Sequence, residues 1–144
     1  MATIEYGAYG TIATVLSTEL NSLANGARAI SSAITGGQEL WDDLELVVTY
    51  GTNPTAGSVV EVYLIPSVDD TNYSDGDASI VPGFSMLVGY FPLRAVTSAQ
   101  RPAGIRGVVL TPGKWKYLVA NLSGQTMAAT GNTLKRRMYS MDST

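Results

Sequence analysis

The chain has 144 residues, a formal charge of −3 and neither cysteine nor histidine. Thiol nucleophiles, serine–histidine triads, imidazole acid–base chemistry and zinc held by Cys or His are thereby excluded. A single domain of this length buries roughly 68–70% of its unfolded surface, so its core needs no disulfide or metal; the lack of cysteine leaves the redox compartment open.

In chain order, MATIEYGAYG carries Glu5 but no basic segment and no long apolar run, so neither signal peptide nor membrane span is expected. Residues 1–10 read as an arm. Tyr9–Leu16 then reads as a short strand with Ile12 and either Val15 or Leu16 inward. The stretch STELNSLANGARAISSAITGG supports two readings. Leu16, Leu20, Leu23, Ala27, Ile30 and Ile34 have the spacing of an amphipathic helix capped by Ser17 and ended by Gly36-Gly37. Asn25-Gly26, however, is the preferred pair for a hairpin turn, and Gly26 inside a helix costs roughly 1 kcal/mol relative to Ala.

Alternation is clearest from Asp43 to Asp70. Leu44, Leu46, Val48 and Tyr50 share one face of a strand; Val60, Val62 and Leu64 share one face of the next, with Glu61 and Tyr63 opposite. The connection GTNPTAG suggests that the two pair antiparallel. A polar loop follows, with Asp69, Asp70, Asp75 and Asp77. Ser85–Val96 reads as a strand whose Pro92 marks an edge or a bulge, and Gly104–Leu110 as another. Thr111-Pro112-Gly113-Lys114 is a turn. In Lys114–Asn121, Trp115, Tyr117 and Val119 alternate with the lysines and read as core. GQTMAAT and TLKRRMYS close the chain between turns at Ser123-Gly124 and Gly131-Asn132. Seven or eight short strands at this spacing indicate an all-β, antiparallel fold, a sandwich or a barrel, over residues 11–139, with a tail at 140–144.

Charge is distributed unevenly. Residues 1–77 hold eleven acids and one base; residues 78–144 hold eight bases and one acid. Either acidic and basic strands are neighbours in one domain, or an acidic face of one copy meets a basic face of the next. The aspartates of the 69–77 loop have the oxygen-rich character that calcium takes, without the spacing of a helix–loop–helix calcium site; a solvated acidic loop is the simpler reading. Asp42, Asp43 and Glu61 are the carboxylates available for glycoside hydrolysis, which needs two acids flanking one bond, yet outward carboxylates are expected on any half-polar sheet. Trp41 and the tyrosines are candidates for a sugar-stacking platform. Lys135-Arg136-Arg137 is the most basic run, but three consecutive residues of a strand cannot face one side, so a phosphate-tracking stripe is not expected. Both terminal segments are small, polar and tyrosine-bearing, the kind that stays disordered unless something binds it.

The segments LNSLANGA, DLELVVTYGTNPTAGSVVEVYLIPSVDDTNY, PLRAV, TPGKWKYLVANLSGQ and GNTLKRRMY resemble a group of small structural proteins of tailed bacteriophages. These are jelly-roll proteins of the virion exterior, of the capsid decoration (cement) or head-associated type. The resemblance spans about residues 16–139. It departs from the pattern at Asp69-Asp70, where the group tends to show Asp-Gly. It places LANGA in the sandwich, favouring strands around the Asn25-Gly26 turn, and implies neither enzyme activity nor cofactor. The expectation is a protein made in the host cytoplasm that binds the major capsid protein and copies of itself, as in a homotrimer, on the capsid exterior. No membrane or nucleic-acid partner is expected. Tyr6, Tyr9, Trp41, Arg136, Arg137 and Tyr139 are the candidate partner contacts. The alternative is a carbohydrate- or receptor-binding module of a fibre or tail, with a glycan at Trp41.

Overall fold

The period-two runs do place their apolar residues in one core. In the computed structural model, which describes residues 1–143, Leu44, Leu46, Val48 and Tyr50 are buried together with Val60, Val62, Leu64, Trp115, Tyr117 and Val119. Among the described residues eleven strands form: β1 Ile4–Tyr6, β2 Ala13–Leu16, β3 Arg28–Ile30, β4 Ile34–Thr35, β5 Trp41–Val47, β6 Val59–Pro66, β7 Leu87–Pro92, β8 Ile105–Val109, β9 Lys114–Leu122, β10 Thr133–Tyr139 and β11 Met141–Ser143. One sheet has the order β2-β10-β5-β8 and the other β3-β9-β6-β7, with β4 also on β9. Every pairing is antiparallel. Apart from β3–β4 and β6–β7, which share a sheet, successive strands from β2 to β10 cross between the sheets in the order of a jelly roll.

That topology corrects the expected pairing of the Asp43–Asp70 region. β5 pairs β10 and β8, whereas β6 pairs β9 and β7. The connection between them therefore crosses from one sheet to the other, and their apolar faces meet across the core instead of lying side by side. Alternation reports which face is buried, not which strand is the neighbour. The ambiguous stretch resolves into a single turn of 3₁₀ helix at Thr18–Leu20 and two short strands, β3 and β4. Gly26 sits in the turn before β3 at φ +80°, a conformation that opposes a helix there. Between β2 and that turn lies the 3₁₀ turn, not a strand. Ile12, expected inward, is 60% exposed, because β2 starts only at Ala13 and Leu16 takes the core position. Pro92 ends β7, which is an edge strand, so its missing N–H costs no ladder bond. GQTMAAT contributes a single bridge, Met127 to Tyr50.

The two sheets differ on their outer faces. That of the β9/β6 sheet carries a second apolar cluster of Tyr63, Ile65, Leu118 and Ala120, with Ile30, Tyr73, Met86 and Leu87 against it. Tyr73 and Met86 come from the 67–86 loop, which folds back as a roof. Arg28 pins the roof by donating to the carbonyls of Asp77 (3.1 Å) and Ala78 (3.3 Å), and Lys116 Nζ lies 4.2 Å from the Tyr73 ring centre. Asp69 and Asp70 are exposed, as a solvated loop would have them, and together with Asp77 they also shape this roof. Asp69 accepts from the backbone N–H of Thr71 and Asn72, Asp77 from those of Ser79 and Ile80, and Asp70 from that of Lys114. These bonds hold the Asp69 and Asp77 carboxyls below the usual carboxylate range.

At one end of the sandwich, the Asn132 side chain accepts from Thr49 N and donates to Ala128 O, and the Asn121 amide donates to Leu23 O and Gln125 O. At the other end the termini leave the body together. β1 pairs β11, Gly7 N donates to Ser140 O and Gly10 N to Met138 O. The arms thus continue the β2–β10 ladder outward as a two-stranded ribbon, with extra residues bulged out on the N-terminal side. Among the described residues, no helix is long and apolar enough to cross a membrane.

Ile65 points away from the inter-sheet core, so its burial depends on the roof. Ile65→Ala should lower the unfolding free energy in urea by about 2–5 kcal/mol, the range for a filled core position. A residue on a solvent-facing sheet surface would change it by only about 0.5 kcal/mol.

Candidate functional site

β5 is acidic and lies between two basic strands. Against β10 the register sets Glu45 opposite Lys135, Asp43 opposite Arg137 and Trp41 opposite Tyr139 on the outer face. Opposite charges and paired aromatics directly across an antiparallel ladder each add roughly 0.2–1 kcal/mol. On the other side of β5, Arg106 reaches Asp43 at 3.1 Å and Arg101 reaches Glu45 at 3.4 Å. Part of the uneven charge along the chain, Asp43 and Glu45 against the bases of the two flanking segments, is therefore matched within one sheet.

Five of the six candidate contacts converge where the ribbon leaves this face. Tyr139 is the hub: Trp41 stacks on it at 5.7 Å between centroids, and Tyr6 and Tyr9 meet it edge-on at 5.9 and 5.8 Å. Tyr9 donates its hydroxyl proton to Asp43 Oδ2 at 2.5 Å, and that bond to a carboxylate raises the phenol above its ordinary value. Arg137 lies 4.1 Å over the Tyr9 ring and donates from Nε to Gly10 O at 2.5 Å. Burial and the Asp43 charge raise the Tyr139 hydroxyl as well. The cluster clasps the N-terminal arm to β10. Arg136 does not join it. Strand alternation puts Arg136 on the inner face with Leu134 and Met138, where its charge acts on Asp42.

Beside the clasp runs an open groove of ≈ 580 Å³, whose walls include Arg101, Arg106, Lys135 and Arg137 against Asp43 and Glu45. Arg101 and Arg106 remain 67% and 77% exposed despite their ion pairs. A second hollow of ≈ 570 Å³ lies between the arm and β8, walled by Tyr6, Tyr9, Arg106 and Tyr139. β8 is one edge of the sheet, β2 being the other. The groove can take an extended, predominantly acidic ligand. It is less suited to stacking a sugar, because the Tyr139 and Tyr9 rings are already packed against the protein's own groups.

The carboxylates do not form a hydrolytic pair. Asp42 faces the core, Asp43 the outer face, and Glu61 sits on the other sheet accepting from Tyr63 at 2.6 Å. Among the described residues no group of three Asp, Glu, His or Cys is placed to hold a metal ion. Asp42 has a structural role. Its Oδ2 accepts from the Tyr117 hydroxyl at 2.8 Å, while Oδ1 is buried without a partner. Burial pushes its carboxyl up to about 6, and the same burial together with the Asp42 charge raises Tyr117 far above an ordinary phenol.

The sequence reading passed over Arg101 and Arg106 on the groove wall and Asp43 as the acceptor for Tyr9. Arg106 alternates outward in GIRGVVL, but its neighbour β5 is set by topology that no local pattern displays. Gly7 and Gly10 were also missed. A Cβ at Gly10 would lie 2.7 Å from Met138 O, and one at Gly7 would lie 2.7 Å from Ser140 Oγ.

No protein-family model matches the chain, and neither does any curated protein. Among solved structures, it is similar to the CBM36-1 domain of a multidomain xylanase from the hindgut metagenome of Trinervitermes trinervoides. The identity is 14% and the TM-score 0.48, with 94% of this chain and 96% of that chain covered. A family 6 carbohydrate-binding module from Clostridium cellulolyticum, in complex with xylose, has 14% identity and a TM-score of 0.40, covering 95% and 91%. A chain of Desmodium yellow mottle tymovirus has 9% identity and a TM-score of 0.42, covering 100% and 89%. Likeness at this level says nothing about what the chain binds.

Two outcomes are expected. Tyr139→Ala removes the hub of three ring contacts, each worth about 0.5–1.5 kcal/mol. The amides of Gly7 and Gly10 should then exchange with solvent at least about tenfold faster, while the core amides stay protected. Asp42 has a folded value of about 6 against 3.8 for an ordinary aspartate. It therefore costs nothing below about pH 4, destabilises progressively between about 4 and 6, and keeps a penalty of about 3 kcal/mol above that range. Asp42→Asn should be more stable than the parent at pH 7.5 and lose that advantage at pH 4, as read by urea unfolding at both.

Proposed function

We propose that this protein is a non-enzymatic virion structural subunit of a tailed bacteriophage, a decoration protein that binds the outside of the capsid and stabilises it. It acts through protein–protein contacts. The observation that carries this reading is the inequality of the two outer sheet faces. The chain roofs one with its own 67–86 loop and leaves the other open, with exposed guanidinium groups at a free sheet edge and a ribbon projecting beside it. A face built this way suits a surface partner: an edge strand and a charged rim give register and specificity. The resemblance in sequence to phage decoration proteins points to the capsid as that partner. A protein that binds the assembled shell and not its separated subunits stabilises the shell by linkage.

Glycan binding at Trp41 is the less supported reading, since Trp41 is committed to Tyr139 across the ladder. Shells stripped of the protein should lose survival on heating or dilution into low salt, and should regain it on saturable rebinding. Equal survival with and without the protein overturns the proposal, and glycan-array binding that Trp41→Ala abolishes would replace it with the carbohydrate reading.

A further inference from the structure

We infer that the open face of the β2-β10-β5-β8 sheet receives the projecting β1–β11 ribbon of a second copy of this chain. The inference rests on the proposed assembly role and names the contact through which copies would meet. It starts from a contrast between two ladders. Where β10 meets β5, charged residues opposite one another on the outer face are of opposite sign: Lys135 with Glu45, Arg137 with Asp43. Where β1 meets β11, Glu5 stands directly opposite Asp142. Like charges directly across a ladder destabilise it. Among the described residues neither carboxylate has a basic partner within ion-pair distance. A two-stranded ribbon is marginal in water by itself. This one is exposed along all six of its residues, with Ile4 and Tyr6 71% and 75% exposed and Met141 at 45%. It pairs two acids in the one part of the chain least able to bear the repulsion.

A basic occupant relieves that repulsion, and the groove supplies one. Arg101 and Arg106 are mostly exposed, Lys135 stands on the same wall, and the basic residues of the groove outnumber its two acids. Ile12, at one side of the groove, and Val109, on the neighbouring edge strand, are 60% and 72% exposed and offer apolar contact to Ile4 and Met141. The free backbone edge of β8 suits an added strand. Ribbon against ribbon is the poorer match, since it would bring four carboxylates together. A ribbon-to-groove contact joins two different patches, so it is heterologous, and it closes a ring if the rotation allows.

The test uses the full-length protein and reads mass by sedimentation at 50 mM and 500 mM salt. The parent should exceed its 15.2 kDa monomer mass in a concentration-dependent way, and less so at the higher salt. Glu5→Lys with Asp142→Lys should weaken self-association about tenfold or more, as should Arg101→Glu with Arg106→Glu. Mixing the two reversed proteins should restore a complex that neither forms alone. Arg101→Gln with Arg106→Gln serves as the milder groove variant should reversal unfold the sheet, and circular dichroism checks each fold. A parent that stays monomeric at millimolar concentration and low salt, or a reversed ribbon that associates as well as the parent, overturns the inference. Binding to stripped shells is measured on the same proteins. A monomeric parent that saturates shells leaves the decoration role standing and refutes this contact. If its reversed-ribbon variant also loses the shells, the ribbon's mate is the shell protein, which equally refutes a second copy. An oligomer that ignores shells supports the contact and refutes the role.

Discussion

The seven-residue ladder between β5 and β10 is the constraint from which the rest of the structure follows. Its register puts Trp41, Asp43 and Glu45 on one face beside Tyr139, Arg137 and Lys135, and turns Asp42, Leu44 and Leu46 into the core. A slip of one residue would bury Asp43 and Glu45 and expose Leu44 and Leu46. The outer pairs therefore do two things at once. They favour this register over its neighbours, and they place Tyr139 and Arg137 where the N-terminal arm must pass. The arm is held because the sheet is in register, and the ribbon projects because the arm is held.

The inner face of the same ladder carries a cost. Asp42 takes a core position with one carboxyl oxygen bonded to Tyr117 and the other unpartnered, and Arg136, one step along the diagonal, supplies the nearest compensating charge. Replacing a buried carboxyl by an apolar group commonly stabilises a fold, whereas leaving it unpaired does not. Its position next to Trp41 matters. Asp42 lies in the core directly behind the clasp, so the inner surface there carries a buried carboxyl with one oxygen unpartnered. The Asn121 and Asn132 end, whose amides are bonded to backbone, is the better satisfied.

Much of this could be read from residue order, and the failures share one cause. Alternation in LELVVTY, VVEVYL and KWKYLVAN reported the inward residues correctly, because a strand with one buried face must alternate. Gly26 and Pro92 were legible because backbone geometry restricts them locally. Which strand lies beside which was not legible, since partners are chosen by connections that cross the core, and so β5 and β6 were paired when they face each other. The roof was hidden for a related reason. Asp69, Asp70 and Asp77 look like solvent-seeking residues, yet each carboxylate is spent on backbone N–H groups, and the apolar contacts come from Tyr73 and Met86 scattered among them. The aromatic candidates and Arg137 meet at the clasp on one face, and Arg136 was separated from Arg137 by the alternation already noted in that run.

Covering one sheet face and leaving the other open has a consequence for how such a molecule can assemble. A closed sandwich with both faces roofed can associate only through its rim, where contacts are few and polar. Here the open face, the β8 edge and the ribbon adjoin one another, so apolar, charged and backbone groups are available together over one continuous region. None of these alone would hold a partner: exposed ion pairs contribute little, and an edge strand is unselective. Together they demand that a partner present an extended segment, acidic on one side and apolar on the other. The ribbon of this chain, with Glu5 and Asp142 on one face and Ile4, Tyr6 and Met141 on the other, meets that description.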